Sequence, residues 1–480
     1  MPDTINTATS LSQNKGPLYA SPPKIQAKSV KGFYRRLKNS FLWGGLALYH
    51  LTPLLRWDRG EGKTDQAVQF DISAQRIYLF AIEVWPQDIY ILTGIMIFAA
   101  IGLFFSAALW GRAWCGFTCF QTLWTDLFVK VEALIEGDRN ARLRLGKAPL
   151  SFEKVFKCTL KHSIWLVISA FFSLSFLWYF GDAFQTTQDI LNGNISGWSL
   201  VTFLTLLIMT YLMAGFAREQ VCLYMCPYGR FQGVMLDEHS KVITYEDWRG
   251  ETRQKPGKNR DFSNRGHCVD CTMCVQVCPT GIDIREGNQM GCIGCGLCID
   301  ACDTVMEKFG LPKKLISYDS QHNINQRAGK IPVSLTKSKT SLLRPRNLVY
   351  LTILLTTVSL TIFGFSSREM TKITVLKDRV PFFVTLSNGQ IQNAYTIRVL
   401  NKSDQDKQFG LSASGEYVPE LKILGQTDNT IKVAAGQVVT LRVFAKGSAP
   451  QTAAQPVTFE LRGQQNSETI TVKTVFHTGS

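Results

Sequence analysis

Four stretches of the chain, Ile89–Trp110, Ser163–Phe180, Trp198–Ala217 and Asn347–Phe365, contain no Asp, Glu, Lys or Arg. Each approaches the ~20 residues needed to cross a hydrocarbon core. A fifth, Ser40–Leu55, is shorter, but Arg35, Arg36 and Lys38 precede it and Arg56 and Trp57 follow it, as suits interfacial anchoring and snorkelling. The pattern predicts five membrane helices at about 40–55, 89–110, 163–180, 198–217 and 347–365. Beyond Phe365 the period changes. Runs such as "TKITVLK", "AYTIRVLN", "VVTLRVFAKG" and "VTFELRG" alternate apolar with polar residues, and turn residues at Ser387-Asn388-Gly389 and Ala435-Gly436 separate them. Period-two alternation with such turns reads as half-buried strands, about seven over 366–480, in an immunoglobulin-like sandwich. No cysteine follows Cys302 and no tryptophan follows Trp248, so this all-β domain lacks the Cys-Trp-Cys core, and a structural or docking role suits it.

Lysine and arginine in the short loops orient the helices, because positive loops stay in the cytoplasm. The segment 1–39 is a basic tail with Lys15, Lys24, Lys28, Lys31, Arg35, Arg36 and Lys38 against Asp3 alone. The loop after the second span carries Arg139, Arg142, Arg144, Lys147, Lys154, Lys157 and Lys161, whereas Gly181–Gly197 has two aspartates and no cation. The amino terminus is thus expected in the cytoplasm and the 366–480 domain in the periplasm. Four helices with their loops fill 40–217, and 218–346 is a cytoplasmic insertion before the fifth helix. These flanks account for much of the net charge of +15, so the charge does not require a nucleic-acid partner. The run "EVWPQD" reads as the lead-in to the second helix, with Trp85 as an interfacial anchor and Pro86 at the helix start. His50, inside the first helix, suits hydrogen-bonded packing better than chemistry, and His162 an interfacial place.

All thirteen cysteines precede residue 303, on the side where thiols stay reduced and disulfides are rare. Eight form two runs, Cys268-x2-Cys271-x2-Cys274-x3-Cys278-Pro279 and Cys292-x2-Cys295-x2-Cys298-x3-Cys302. This is bacterial two-cluster ferredoxin spacing, in which the fourth cysteine of each run ligates the other cluster. Cluster one is therefore assigned Cys268, Cys271, Cys274 and Cys302, and cluster two Cys292, Cys295, Cys298 and Cys278, within a core at 262–310. Zinc is the alternative for repeated Cys-x-x-Cys. Asp303 stands where a second proline is often found. No Gly-x-Gly-x-x-Gly follows a predicted strand, so a separate cytoplasmic electron donor is required.

Four more cysteines form two pairs at the cytoplasmic ends of spans, Cys115 with Cys119 in "GRAWCGFTCF" and Cys222 with Cys226 in "REQVCLYMCPYGR". At i and i+4 on a helix, each pair shares a face. The two pairs can converge on a four-thiolate site, soft enough to favour copper(I), with Arg112 and Arg218 helping to hold the thiols deprotonated. Cys158, alone beside Lys157, suits a packing role.

The motifs "GRAWCGFTCFQTLWTD", "LIEGDRNARLRL", "AGFAREQVCLYMCPYGRFQ", "CVDCTMCVQVCPTGIDIR" and "CIGCGLCIDACD" together resemble the FixG/RdxA/CcoG accessory proteins of cbb3-type cytochrome c oxidase, over roughly Lys31 to Ser480. The resemblance implies an α-helical inner-membrane protein with five spans, two [4Fe-4S] clusters and an exported immunoglobulin-like domain. It also implies reduction of copper(II) to copper(I) for assembly of the oxidase's haem–copper centre. Its implied partners are the lipid bilayer, copper ions and oxidase assembly factors. It carries over to the eight cluster cysteines and to Cys115, Cys119, Cys222 and Cys226 as copper and catalytic residues. Phe120 stands where relatives often have the proline that Cys226 has in Pro227, which loosens the geometry expected there. Two other functions remain open: a quinol-linked electron-transfer subunit, and a copper chaperone or scaffold without enzyme activity. The sequence leaves homo-oligomerisation open.

Overall fold

The structure, a computed structural model, describes residues 25–60, 63–255, 262, 265–330, 344–403, 405–414, 419–426, 428–448, 454–464 and 469–477. The chain forms two compact units, Met1–Ile362 and Phe363–Ser480. Lys15 and Lys24 of the basic tail lie outside the described residues.

Helix α1 (Phe33–Leu51) starts before the predicted span. A three-stranded antiparallel meander follows, β1 (Val68–Asp71), β2 (Arg76–Leu79) and β3 (Ile82–Val84). A turn at Pro86–Asp88 then opens α2 (Ile89–Trp110), as Pro86 predicts. Trp85 is no interfacial anchor: it is buried, with the Arg76 guanidinium 3.9 Å above its ring. Next come α3 (Ala113–Phe117), α4 (Phe120–Ile135), α5 (Arg139–Lys147), α6 (Phe152–Trp178), α7 (Ala183–Leu191) and α8 (Gly197–Leu212). Helix α6 begins well before the predicted Ser163, so Lys154, Lys157 and Lys161 are helical. A π-turn, Met213–Ala217, prolongs α8.

Among the described residues, four helices are long and apolar enough to cross a membrane: Pro86–Trp110, Phe152–Trp178, Gly197–Ala217 and Pro345–Ser366. Helix α1 is not among them, because its first turns hold Arg35, Arg36 and Lys38. Large apolar side chains stand exposed along these helices, among them Met96, Phe98, Val167, Ile208, Leu355 and Phe363. Apolar surface on that scale needs lipid, not water, beside it. In α1, His50 meets Ser175 Oγ at 2.7 Å and stacks on Phe171. His162 meets the Tyr211 hydroxyl at 2.9 Å. Cys158 is exposed.

After a second π-turn (Val221–Met225) and α9 (Pro227–Met235), strand β4 (Val242–Tyr245) leads to α10 (Asp247–Gly250), α11 (Met273–Gln276) and α12 (Leu297–Lys308). Strand β5 (Ile316–Asp319) pairs antiparallel with β4, and α13 (Gln321–Arg327) follows. Ile243, Tyr245 and Ile316 of this two-stranded roof pack over the cysteine loops. A strap from Ile25 to Gly32 ties the loops to the helices. Lys28 N donates to Gln276 O at 2.8 Å, and Tyr34 N and Arg35 N donate to the two Asp300 carboxylate oxygens. Asp300 of α12 therefore caps the amino end of α1, favourably placed against the helix dipole.

Helix α14 (Pro345–Ser366) runs into the second unit. There, nine strands form two antiparallel sheets among the described residues: β6 (Thr371–Lys377), β7 (Val384–Thr385), β8 (Ile391–Asn401), β9 (Lys407–Ser414), β10 (Glu420–Ile423), β11 (Thr430–Val433), β12 (Val438–Gly447), β13 (Ala454–Gly463) and β14 (Thr469–His477). The orders are β10-β12-β8-β6, with β7 beside β8, and β11-β9-β13-β14. Alternate residues of β8, from Ile391 through Tyr395 and Ile397 to Val399, meet Phe459, Leu461 and Phe476 in the core. That core takes the place of the missing disulfide and tryptophan.

Candidate functional site

The two cysteine runs wrap two cavities. One is lined by Cys268, Cys271, Cys274 and Cys302 with Tyr245 and Ile316. The other is lined by Cys278, Cys292, Cys295 and Cys298 with Ile243, and Cys274 reaches it too. In each, the fourth cysteine of one run stands with the first three of the other. Both loops achieve the wrap by the same means. Asp270 and Thr272 in the first run, and Gly294 and Gly296 in the second, have positive φ at matching positions; glycine adopts this without strain and the other two at a cost. Burial pushes the Cys274 and Cys292 thiols up to about 12, so apart from metal they stay protonated. Among the described residues, no three His, Cys, Asp or Glu side chains are gathered closely enough for a single ion. Four cysteines lining each cavity, three from one run and one from the other, are the thiolate set that a [4Fe-4S] cube takes.

The membrane-edge pairs depart from the expected geometry, since neither lies on one continuous helix. Cys115 is inside α3, but Cys119 is extended (φ −59°, ψ 131°) and starts α4. Cys222 is inside the second π-turn, and Cys226 is likewise extended (φ −80°, ψ 112°) before α9. Phe120 therefore opens α4 much as Pro227 opens α9, and the missing proline does not alter the bend. The resemblance extends backwards. Gly111 ends α2 at φ 55°, ψ −121°, and Arg218, at the matching position, ends the other span at φ 39°, ψ −112°. Each half is thus a span, a sharp reversal, a short cysteine turn, an extended cysteine and a second helix.

The halves interlock. Tyr228 of α9 donates to Leu103 O of α2, and Gln121 of α4 donates to Met213 O and Arg218 O at the end of the other span. The Cys115 thiol donates to Gln232 Oε1 at 3.2 Å. Burial pushes Cys115 up to about 12; Cys119, Cys222 and Cys226 add to the rise and Arg112 opposes it. Cys222 goes up to about 11 for the same leading reason. The four thiols are therefore within electrostatic reach, but they do not form a closed ligand set for one ion in this conformation. Neither arginine keeps Cys115 or Cys222 ionised. Arg112 is outweighed by burial, and Arg218 is committed elsewhere: its guanidinium donates to Glu132 at 2.6 and 3.1 Å, and Arg142 donates to the same carboxylate at 3.0 Å.

Between the strap, α4 and the second-run loop lies a cavity of about 140 Å³, lined in part by Glu219, Cys222 and Thr280. Spacing rules could not have found Gln121, Gln232, Glu132 or Asp300, because each acts on a partner far away in the chain.

A family model for a 4Fe-4S dicluster domain matches residues 217–321, and one for a 4Fe-4S binding domain matches 92–140. A third, for the IG-like fold at the C-terminus of FixG, matches 361–479. The nitrogen fixation protein FixG of Rhizobium meliloti is 39% identical over 470 residues, 92% of this chain and 89% of that protein. Protein RdxA of Cereibacter sphaeroides is 40% identical, covering 96% and 98% of the two chains. Protein RdxB of the same organism is 40% identical over 93% of each. A crystal structure of a FixG-related protein from Vibrio parahaemolyticus aligns over 23% of this chain and 97% of that one, at 25% identity and a TM-score of 0.20.

Proposed function

The chain belongs to the FixG family, and on that premise we propose that it reduces copper(II) to copper(I) at its membrane-edge thiols, for assembly of the haem–copper centre of a cbb3-type cytochrome c oxidase. At the coarser level it is a membrane-bound iron–sulfur oxidoreductase of the 4Fe-4S kind. The proposal rests on one observation: Cys115, Cys119, Cys222 and Cys226 gather beside the loop that carries Cys292 and Cys295, and Cys115 packs into the same apolar cluster as Cys295 and Ile293.

Cys268, Cys271, Cys274 and Cys302 hold one [4Fe-4S] cluster in this reading, and Cys292, Cys295, Cys298 and Cys278 the other. When bound, such clusters supply one-electron transfer, matching the single electron that separates copper(II) from copper(I). The residues around them do the rest. Ile243, Tyr245 and Ile316 exclude water, and Arg285, bonded to Asp283 and Asp270 at 2.8 and 2.7 Å, fixes the first loop. The four membrane-edge thiols present soft sulfur, which favours the cuprous product over the cupric substrate.

The amino terminus and 218–346 lie in the cytoplasm in this reading, α1 is a fifth span and 366–480 is periplasmic. Protease added to intact spheroplasts should then remove the sandwich and spare the cluster insertion; the opposite pattern reverses the orientation.

A quinol-linked role is the second reading. It is favoured by an apolar cavity of about 270 Å³ among the helices, lined by Gly45, Tyr49, Phe120, Trp124, Phe172 and Phe176, with Phe120 next to Cys119 in sequence. The deciding measurement is reoxidation of anaerobically reduced protein by copper(II) or by a quinone analogue. Copper(II) should reoxidise wild type but not the Cys115/Cys119→Ser or Cys222/Cys226→Ser variants, whose iron content should be unchanged. Full copper reduction without either pair would move the reaction to the clusters, and reoxidation by quinone alone would establish the second reading.

A further inference from the structure

The two cluster sites are not equivalent toward the membrane-edge thiols. Glycines on both sides of one joint show this. A Cβ on Gly116, between the two cysteines of the first pair, would lie 2.9 Å from Cys295 Cα and 2.9 Å from Ile293 O. A Cβ on Gly294 would lie 3.1 Å from the Arg112 carbonyl carbon. The first is a backbone-to-backbone approach that leaves no room for a Cβ, and the second is tight at a residue whose φ of +71° also favours glycine. The second pair reaches the same loop, since a Cβ on Gly291 would meet the Leu223 side chain at 3.3 Å.

Arg112 fastens the joint. It is buried, and it donates from Nη1 to Met290 O and to Cys292 O at 3.2 Å, and from Nη2 to Gly229 O in α9 at 2.9 Å. One guanidinium thus holds the first-pair loop, the helix after the second pair and the second-run loop together. Neither pair's loop lines a cluster cavity itself, but the close approaches of both loops are to Gly291, Ile293, Gly294 and Cys295 of the second-run loop. Cys271, lining the cavity of Cys268, Cys274 and Cys302, is the one cluster cysteine exposed to solvent.

We infer that the site of Cys292, Cys295, Cys298 and Cys278 is the one coupled to the membrane-edge thiols, with Gly116 and Arg112 as its positioning residues, while the Cys271 site is the outward-facing end. The inference rests on the proposed role of the four thiols as the protein's redox terminus, but its test involves no copper.

Full-length protein, prepared anaerobically in detergent, is reduced stepwise and the paramagnetic resonance of the two clusters recorded. The signals are assigned through Cys298→Ser and Cys271→Ser, each of which replaces a ligand of one site. In Gly116→Ala and in Arg112→Lys, the g values and midpoint potential of the signal assigned through Cys298→Ser should shift, and the other signal should stay in place. Movement of the Cys271 signal, of both signals or of neither overturns the inference. Arg112→Lys keeps the charge and adds no bulk at the joint, so it decides alone if Gly116→Ala fails to load iron. The copper reading stands or falls separately, through the paired serine variants.

Discussion

Gln121 and Gln232 perform the same service for each other's half of the molecule: Gln121 Nε2 donates to Arg218 O at 3.1 Å, and Gln232 Nε2 donates to Gly111 O at 3.5 Å. Arg218 and Gly111 are the positive-φ residues that end the two spans. A carbonyl turned aside at such a reversal has no helical partner, and leaving it unpaired in a buried place costs free energy. Each half therefore depends on the other to close its own reversal, which is why the cysteine turns are held together although they are far apart in the chain.

Gln232→Ala should destabilise the protein by ~1–3 kcal/mol, the usual cost of stranding buried polar groups, because Gly111 O and the Cys115 thiol both lose a partner. Gln121→Ala should cost about the same, stranding Arg218 O, while Met213 O keeps the Arg218 N–H. Thermal unfolding in detergent reads both, and iron content should be unchanged, since no cluster ligand is touched. A loss confined to one of the two variants would contradict the reciprocal arrangement.

Cys278→Ser should perturb the same cluster as Cys292→Ser, and Cys302→Ser the same cluster as Cys268→Ser, although each pairing joins different runs. Each single variant should retain roughly half its iron, or keep one cluster spectrum unaltered. If Cys278→Ser alters the signal that belongs to Cys271, the crossed assignment is wrong.

What the sequence made legible was periodic. Apolar runs, two-residue alternation and the cysteine spacings each repeat a local rule, and the spans, the sandwich and the two cluster loops follow from them. The pairs were misread because i and i+4 implies one helix only if the helix continues. Pro227, suited to the first position of a new helix, was the available sign that Cys226 precedes a fresh start, whereas Phe120 gives no such sign for Cys119. The role assigned to Arg218 failed for another reason. Its partner Glu132 is on a different helix, and nothing in the spacing of either residue reveals that the guanidinium is already committed.

Glu132 is the anion on which two buried cations converge. Burial by itself would raise its carboxyl, but the Arg218 hydrogen bonds and the charges of Arg218, Arg142 and Lys161 outweigh that and hold it below the usual carboxylate range. Glu132→Gln leaves Arg142 and Arg218 buried without a counter-charge, and breaking such a cluster costs ~3–5 kcal/mol. The Glu132 anchor is one of the contacts that hold the positive-φ backbone at Arg218, so this variant should also weaken copper(I) binding at Cys222 and Cys226 more than at a control site. Unfolding temperature and anaerobic copper titration measure the two effects. Unchanged stability would show that Arg142 and Arg218 find other partners.

Asp126 fixes the pH dependence of the joint between α1 and α4. It accepts from Arg35 at 2.8 Å and lies 3.3 Å from Lys38 Nζ, with both Asp126 and Lys38 buried. Burial pushes its carboxyl up, but Lys38 and Arg35 together pull harder and hold it below its ordinary value. The folded state thus binds this proton less readily than the unfolded chain does. The stabilisation is present above the unfolded carboxyl pKa of about 4 and is lost as pH falls through the depressed folded value. Asp126→Asn should remove it at every pH by leaving the buried Lys38 and the partly buried Arg35 without an anion, so at pH 7 the variant should be less stable by ~3–5 kcal/mol. As pH drops below about 4, wild type should lose stability and approach the variant. Unfolding temperatures of both proteins between pH 7 and 3 test this: curves that stay parallel down to the lowest pH would mean that Asp126 does not carry the acid sensitivity of the joint, and that the two cations are held by some other group.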